Sequence, residues 1–203
     1  MRGNVSVIYE DDNIVIVNKP VGVLSQEELI PVIGYPICNR LDRNTAGIII
    51  AAKTKAAFRE VVNSQIRKFY LATVIKKPLP TSATVTAYLK TNENFVEIKN
   101  TPANGYKKIV TEYRLVAEKN GGLYEVEVIL HTGKKHQIRA HLAHMGFPIL
   151  GDWKYGNKII NKKFGAEFQH LTAYKITFGF AENSPLYYLN ERSFEIVSTS
   201  YCI

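Results

Sequence analysis

The sequence predicts a mixed α/β domain built around a largely antiparallel sheet with few helices. Three observations carry this reading. Short β-branched and aromatic runs dominate the chain, turn-forming clusters of Gly, Asp and Asn separate them, and only two segments space their apolar residues as a helix does.

The chain opens as a hairpin. Ser6 to Tyr9 is a short strand, Glu10-Asp11-Asp12-Asn13 has turn composition, and Ile14 to Val17 is an apolar, β-branched strand. Lys19-Pro20 interrupts the ladder, because proline has no N–H to donate. Ile48 to Ala52 is apolar without alternation, the pattern of a strand covered on both faces. Thr54 can cap a helix from Lys55 to about Ile66 with Ala57, Val61 and Val62 inward. Strands follow at Lys68 to Ile75, Ile109 to Glu118 and Leu123 to Leu130, the last two joined across Gly121-Gly122. Tyr124, Val126, Val128 and Leu130 alternate with Glu125, Glu127 and Ile129, which predicts one apolar face. A second helix is expected to start near Lys134 with Thr132 as its cap, to bury Ile138, Leu142 and Met145, and to stop at Gly146. Ala173 to Phe180 and Phe194 to Val197 complete the strands.

At 203 residues, 46% of them hydrophobic and 22% charged, the chain can bury a sizeable core as a single domain. Its net charge of +8 favours a polyanionic partner, nucleic acid or an anionic membrane surface. No basic amphipathic helix of adequate length stands out for the membrane, and no run of about 18 apolar residues or leader-like segment occurs. The expectation is a cytoplasmic protein without a membrane role. Cys38 and Cys202 are the two cysteines, too few for a disulfide framework.

Three segments are unlike plain core. Asn39 to Gly47 places Asp42 between Arg40 and Arg43, just before the buried strand. A nearby arginine favours an ionised carboxylate, which suits a nucleophile or base, although the same residues also make an ordinary turn salt bridge. His131 to Leu142 gathers Lys134, Lys135, His136, Gln137 and Arg139 at the start of the second helix, as an anion-binding surface or as a solvated basic face. Arg139, next to the apolar Ile138, can turn towards the sheet and pair with a carboxylate. Metal binding by His131, His136, His141 and His144 fits poorly, since no H-x-x-x-H spacing or accompanying cysteine is present. Arg67 to Ala72 brings a basic pair into a strand bearing Tyr70, a residue equally at home in half-buried strand packing.

In this order, these segments resemble the RluA family of RNA pseudouridine synthases over most of the chain. Val17-Asn18-Lys19-Pro20-Val21-Gly22 is similar to the family's NKPxG turn, Arg40-Leu41-Asp42 through Gly47 to its RLDxxTSG loop, and Lys68-Phe69-Tyr70 to its KxY segment. Gly133 to Leu142 resembles GRTHQIRVHL, Gly146 to Gly156 resembles GHPIxGDxxYG, and His170 to Tyr174 resembles HLHAY. The sequence departs at Asn39, where histidine is usual, at Ala46 for serine, and at Lys134-Lys135 for Arg-Thr.

The resemblance implies the pseudouridine synthase fold, with a central RNA-binding cleft in one catalytic domain; many relatives carry a small N-terminal RNA-binding domain as well, and no such separate domain is expected here. It also implies isomerisation of uridine to pseudouridine in ribosomal or transfer RNA by a monomer that needs no metal or organic cofactor. Asp42 aligns with the essential aspartate, acting as nucleophile or as base. Tyr70 aligns with the tyrosine beside the target base, and Arg139 with the arginine paired to the aspartate. Arg40 aligns with the residue that fills the place of the flipped-out base. Arg40, Arg43, Lys134, Lys135, His136 and Gln137 are the expected RNA contacts. A catalytically silent RNA-binding relative is the alternative.

Overall fold

The computed structural model describes residues 5–93 and 95–196. In chain order the elements are β1 (Ser6–Glu10), β2 (Ile14–Lys19), α1 (Ile30–Ile33), β3 (Ala46–Ala52), α2 (Lys55–Asn63), β4 (Gln65–Val74), β5 (Ser82–Thr91) and β6 (Val96–Lys99). Then come β7 (Lys107–Lys119), β8 (Leu123–Leu130), α3 (Gln137–His144), α4 (Lys158–Lys163), β9 (Leu171–Gly179) and β10 (Ser193–Glu195). They divide into two compact units: the described residues up to Lys68 and from Thr172 onward, and Phe69–Leu171.

In the first unit the strand order is β1-β2-β3-β9, with β10 paired to β9. The Asp11 carboxylate closes the opening hairpin by accepting from the backbone N–H groups of Asn13 (2.7 Å) and Ile14 (2.9 Å). As its unbroken apolarity predicts, β3 is buried along its whole length. Ile48 and Ile50 face Ile14, Ile16, Ala57 and Phe178, while Ile49 and Ala51 face Val15, Val17 and Leu29. Thr54 caps α2 by accepting from Ala57 N at 3.0 Å. Two expectations change here. The helix ends at Asn63 rather than near Ile66, because β4 already begins at Gln65, and Val62 is 51% exposed on the outer face instead of packed inward.

All strand pairs of this unit are antiparallel except β3 with β9, which run parallel through Ala46–Thr172 and Gly47–Ala173. That register demands glycine. Gly47 sits at φ +124°, and a Cβ there would lie 2.3 Å from the Ala173 carbonyl oxygen. The glycine that ends the Asp42 loop is therefore a close-approach residue.

The second unit is a sheet in the order β4-β8-β7-β5-β6, in which β8, β7, β5 and β6 pair antiparallel in turn. Gly121 and Gly122, both at positive φ, turn the β7–β8 hairpin as their sequence predicts. On β8, Glu127, from the side opposite the apolar alternation, is only 7% exposed and accepts from Arg114 Nε at 2.7 Å. Helix α3 begins at Gln137, later than the expected Lys134, and His136 occupies the cap position in the left-handed region. Thr132 is not the cap; its hydroxyl accepts from Val110 N and donates to Gln137 Oε1. Ile138 and Leu142 are core residues, and Gly146, at φ +90°, follows the helix as predicted.

Strands β5 and β6 and the short helix α4 went unread in the sequence. Among the described residues no helix is long and apolar enough to cross a membrane. Val197, expected at the end of the last strand, and Cys202 lie outside the described residues; Cys38 is a free thiol.

Candidate active site

Asp42 lies in the first unit, half-buried, on the loop that leads into β3. Its neighbours are held by hydrogen bonds that treat the loop as an extra strand. The Asn39 side chain donates to Ile48 O (3.1 Å) and accepts from Ile50 N (2.8 Å), so its amide completes β3's ladder where backbone pairing stops. The buried Ser25 hydroxyl both accepts from Leu41 N and donates to Leu41 O. Gly22 N donates to Arg43 O, Arg43 Nε donates back to Gly22 O, and Thr45 N closes a turn onto Asp42 O. The residues on both sides of the carboxylate are thus tied to the turn that follows β2.

Beneath this loop sits Lys19, fully buried, whose ammonium donates to Pro20 O (2.9 Å), Val23 O (2.9 Å) and Arg43 O (3.0 Å). Burial pushes its pKa down to about 8, and the charges of Asp42 and Glu28 oppose that shift. Lys19 therefore serves both as the clip between two loops and as the cation beneath Asp42. In the sequence Lys19-Pro20 reads as the end of a strand and as part of the NKPxG turn, without a role for the lysine itself. What could have revealed the lysine was its fixed place in the NKPxG turn. Arg40 and Arg43 are exposed, and Arg40 reaches Gln26 only at 3.5 Å.

The second unit carries Tyr70 and the basic segment. Tyr70 is in β4 and 8% exposed. Lys134 and Lys135 are exposed in the turn before α3. Gln137 is 2% exposed, and its amide accepts from Thr132 and Lys134 N and donates to Val110 O and Thr111 Oγ1. A side chain so fully engaged shapes the turn that presents the lysines.

Arg139 does turn inward from α3, and within its own unit it meets Asp152. The guanidinium grips that carboxylate with two parallel bonds, Nε to Oδ2 at 2.7 Å and Nη2 to Oδ1 at 3.0 Å. Asp152 is 1% exposed and also accepts from the backbone N–H groups of Lys154 and Tyr155. Burial alone would raise its pKa; Arg139 and those two amides outweigh this and hold the carboxyl below its ordinary value. The Tyr155 ring stacks under the guanidinium, 5.4 Å from its carbon, and its hydroxyl accepts from Val96 N and lies 2.9 Å from His136 Nδ1. One buried carboxylate and one tyrosine therefore orient both Arg139 and His136. Neither was singled out from the sequence, although both belong to its GDxxYG stretch.

His131, His141 and His144 point to separate partners: Glu112, Thr111 and Asn100. Among the described residues no group of three or more His, Cys, Asp or Glu is placed to hold a metal ion.

Comparison with known proteins decides the family. The profile described as RNA pseudouridylate synthase matches residues 34–144, which include Asp42, Tyr70 and Arg139. An uncharacterized RNA pseudouridine synthase of Mycoplasma capricolum is 33% identical over 219 aligned positions, covering 93% of this chain and 70% of that protein. This chain belongs to the RNA pseudouridylate synthase family. The ribosomal large subunit pseudouridine synthase C of Rickettsia bellii is 32% identical, over 74% of this chain and 56% of its own length. Its counterpart from Rickettsia prowazekii is 30% identical, over 76% and 57%. The chain thus spans a little over half of those relatives. The RluA-type motifs agree with this family, and the solved structures agree with the fold. Human RNA pseudouridylate synthase domain containing 1 superposes with a TM-score of 0.75 at 20% identity, over 95% of this chain and 89% of that one. Human RNA pseudouridylate synthase domain containing 4 gives 0.70 at 24%, over 84% and 82%.

Proposed function

We propose that this chain isomerises uridine to pseudouridine in structured RNA, with Asp42 as the carboxylate that engages the nucleotide. One observation carries the proposal: in a member of this family, the loop bearing Asp42 is clamped on both sides while the carboxylate itself stays only half-buried. In the reaction the bond from N1 of the base to the sugar breaks, the base turns, and C5 bonds to the same sugar carbon. The hydrogen on C5 leaves as a proton and N1 gains one, so atoms and electrons balance without a redox partner.

In this reading Arg139 supplies the positive charge that accompanies Asp42, and Tyr70 helps move the proton from C5. Arg40 fills the gap left by the extruded base, a step that must offset about a few kcal/mol of unstacking. Arg43, Lys134, Lys135 and His136 meet the RNA backbone, which supplies affinity and not sequence selectivity. Both units serve one catalytic domain, acting as a monomer on cytoplasmic RNA. Ribosomal RNA of the large subunit is the first substrate to try, because relatives carry it in their names; transfer RNA is the second.

The test is release of tritium from RNA labelled at uridine C5. Release that continues in the presence of a chelator is the expected result. Tight RNA binding without any release would instead mark a silent RNA-binding relative, and release abolished by chelator would point to a metal-dependent reaction.

A further inference from the structure

The sequence contains one tryptophan, Trp153, and it is not in the core. It is 41% exposed, and Phe168 nearby in the chain is 43% exposed. An indole normally contributes most when its rings are covered. Here its one polar atom is fully engaged, since Nε1 donates to Ala166 O and Glu167 O, each at 3.1 Å, while much of the ring stays open to solvent.

The segment that carries it is rigid. Asn161, fully buried, accepts from Gly151 N at 2.9 Å and donates to Asp152 O at 3.1 Å. Asn157 caps α4 by accepting from Ile159 N and Ile160 N. Gly151 packs so closely on the segment's far end that a Cβ would lie 1.9 Å from Phe168 O. Around the tryptophan, residues 153–168 hold four lysines (154, 158, 162 and 163) against one acid, Glu167, and all four lysines are exposed. Lys158 and Lys162 lie one turn apart on α4, on the same face.

An open ring, anchored through its Nε1 on a segment that carries four exposed lysines, matches the demands of unpaired nucleic acid: a π-face for a base and point charges for phosphates. Four lysines against a single acid favour the regularly charged backbone of a polyanion, and a six-residue helix is too short to lie stably in a membrane surface.

We propose that the segment 153–168 is a second RNA contact, remote in sequence from the Asp42 loop, where an unstacked base lies against Trp153 and the lysines take adjoining phosphates. The inference rests on the reading of the substrate as RNA, and it gives the chain a grip on its substrate beyond the reacting nucleotide.

Because Trp153 is the sole indole, the test is direct. The full chain is titrated with single-stranded oligouridylate while tryptophan emission is followed, and binding is measured in parallel by polarisation of end-labelled RNA. The proposal predicts quenching that tracks the polarisation curve. In the exposed-surface variant K158Q/K162Q/K163Q, the slope of log affinity against log salt should fall by about 2, near 0.7 for each phosphate released from a single strand. RNA binding with unchanged emission, or an unchanged salt slope in the variant, would overturn it. Quenching needs no turnover. A protein that quenches but releases no tritium would refute the isomerase reading and keep this surface; the reverse result would refute the surface alone.

Discussion

The two halves of the proposed chemistry are held by different kinds of bond. In the first unit, the Asp42 loop is secured largely through main-chain groups: Leu41 and Arg43 are bonded at their backbones to Ser25, Gly22 and Lys19. In the second, Arg139 is secured through side chains, with Asp152 gripping the guanidinium and Tyr155 stacked beneath it. A backbone-bonded loop tolerates changes in the residues that flank it. A side-chain network passes every substitution to its neighbours. Two of the chain's three departures from the RluA motif, Asn39 and Ala46, lie in the backbone-bonded half; the third, Lys134-Lys135, is exposed in the turn before α3.

The largest effect should come from the side-chain half. In Asp152→Asn the charge is lost and an amide N–H₂ faces the Arg139 donors, so a guanidinium that is 10% exposed loses the carboxylate that grips it with two bonds. We expect a loss of about 3–5 kcal/mol, the range for breaking one partner of a buried ion pair, read from urea unfolding. A loss below about 1 kcal/mol, typical of an exposed pair, would show that the network is not what holds Arg139.

A smaller effect, set by pH, comes from the same unit. His141 is fully buried with Nδ1 against Thr111 Oγ1, and burial, then the neighbouring His144, pushes its pKa down to about 4. The unfolded chain binds this proton near pH 6.5 while the folded chain resists it. Stability is therefore complete above that pH and falls as pH drops towards 4, by roughly 3 kcal/mol at most. Unfolding midpoints measured across this window should slope downward in the parent and flatten in His141→Gln. An equal slope in both would place the acid sensitivity elsewhere.

In the first unit we expect less. Lys19→Met leaves three carbonyls without their common donor while removing a buried charge, and these partly offset, for a net loss of about 1–3 kcal/mol. Asn39→Ala removes two strand-like bonds at a partly exposed position and should lose about 1 kcal/mol. If Asn39→Ala proved as damaging as Asp152→Asn, the contrast between the halves would collapse.

Much of this was legible in the chain. The hairpins were announced by Gly121-Gly122 and by the acidic turn at residues 10–13, and β3 by its unbroken apolarity, because turn chemistry and burial act locally. The start of α3 was misread because Thr132 looks like a cap, yet the chain first makes a turn stapled by Gln137, and His136 takes a left-handed conformation uncommon outside glycine. Strand β5 escaped notice because threonines and a serine interleave its apolar residues, and α4 because six residues show too little periodicity. Among the site's supports, Lys19 and Asp152 each sit in a motif the sequence shows, but the bonds that define their roles, to Arg43 and Arg139, reach 24 and 13 residues away, and local sequence does not announce them.

The central claim is that the Asp42 carboxylate does chemistry which the rest of the surface merely accommodates. It is tested most directly by measuring tritium release and RNA affinity together in Asp42→Asn, which keeps the side chain's size and removes its charge. The account predicts that release is lost, by about a thousandfold or more, while affinity for the same RNA stays within roughly threefold. Continued release by the variant would contradict it.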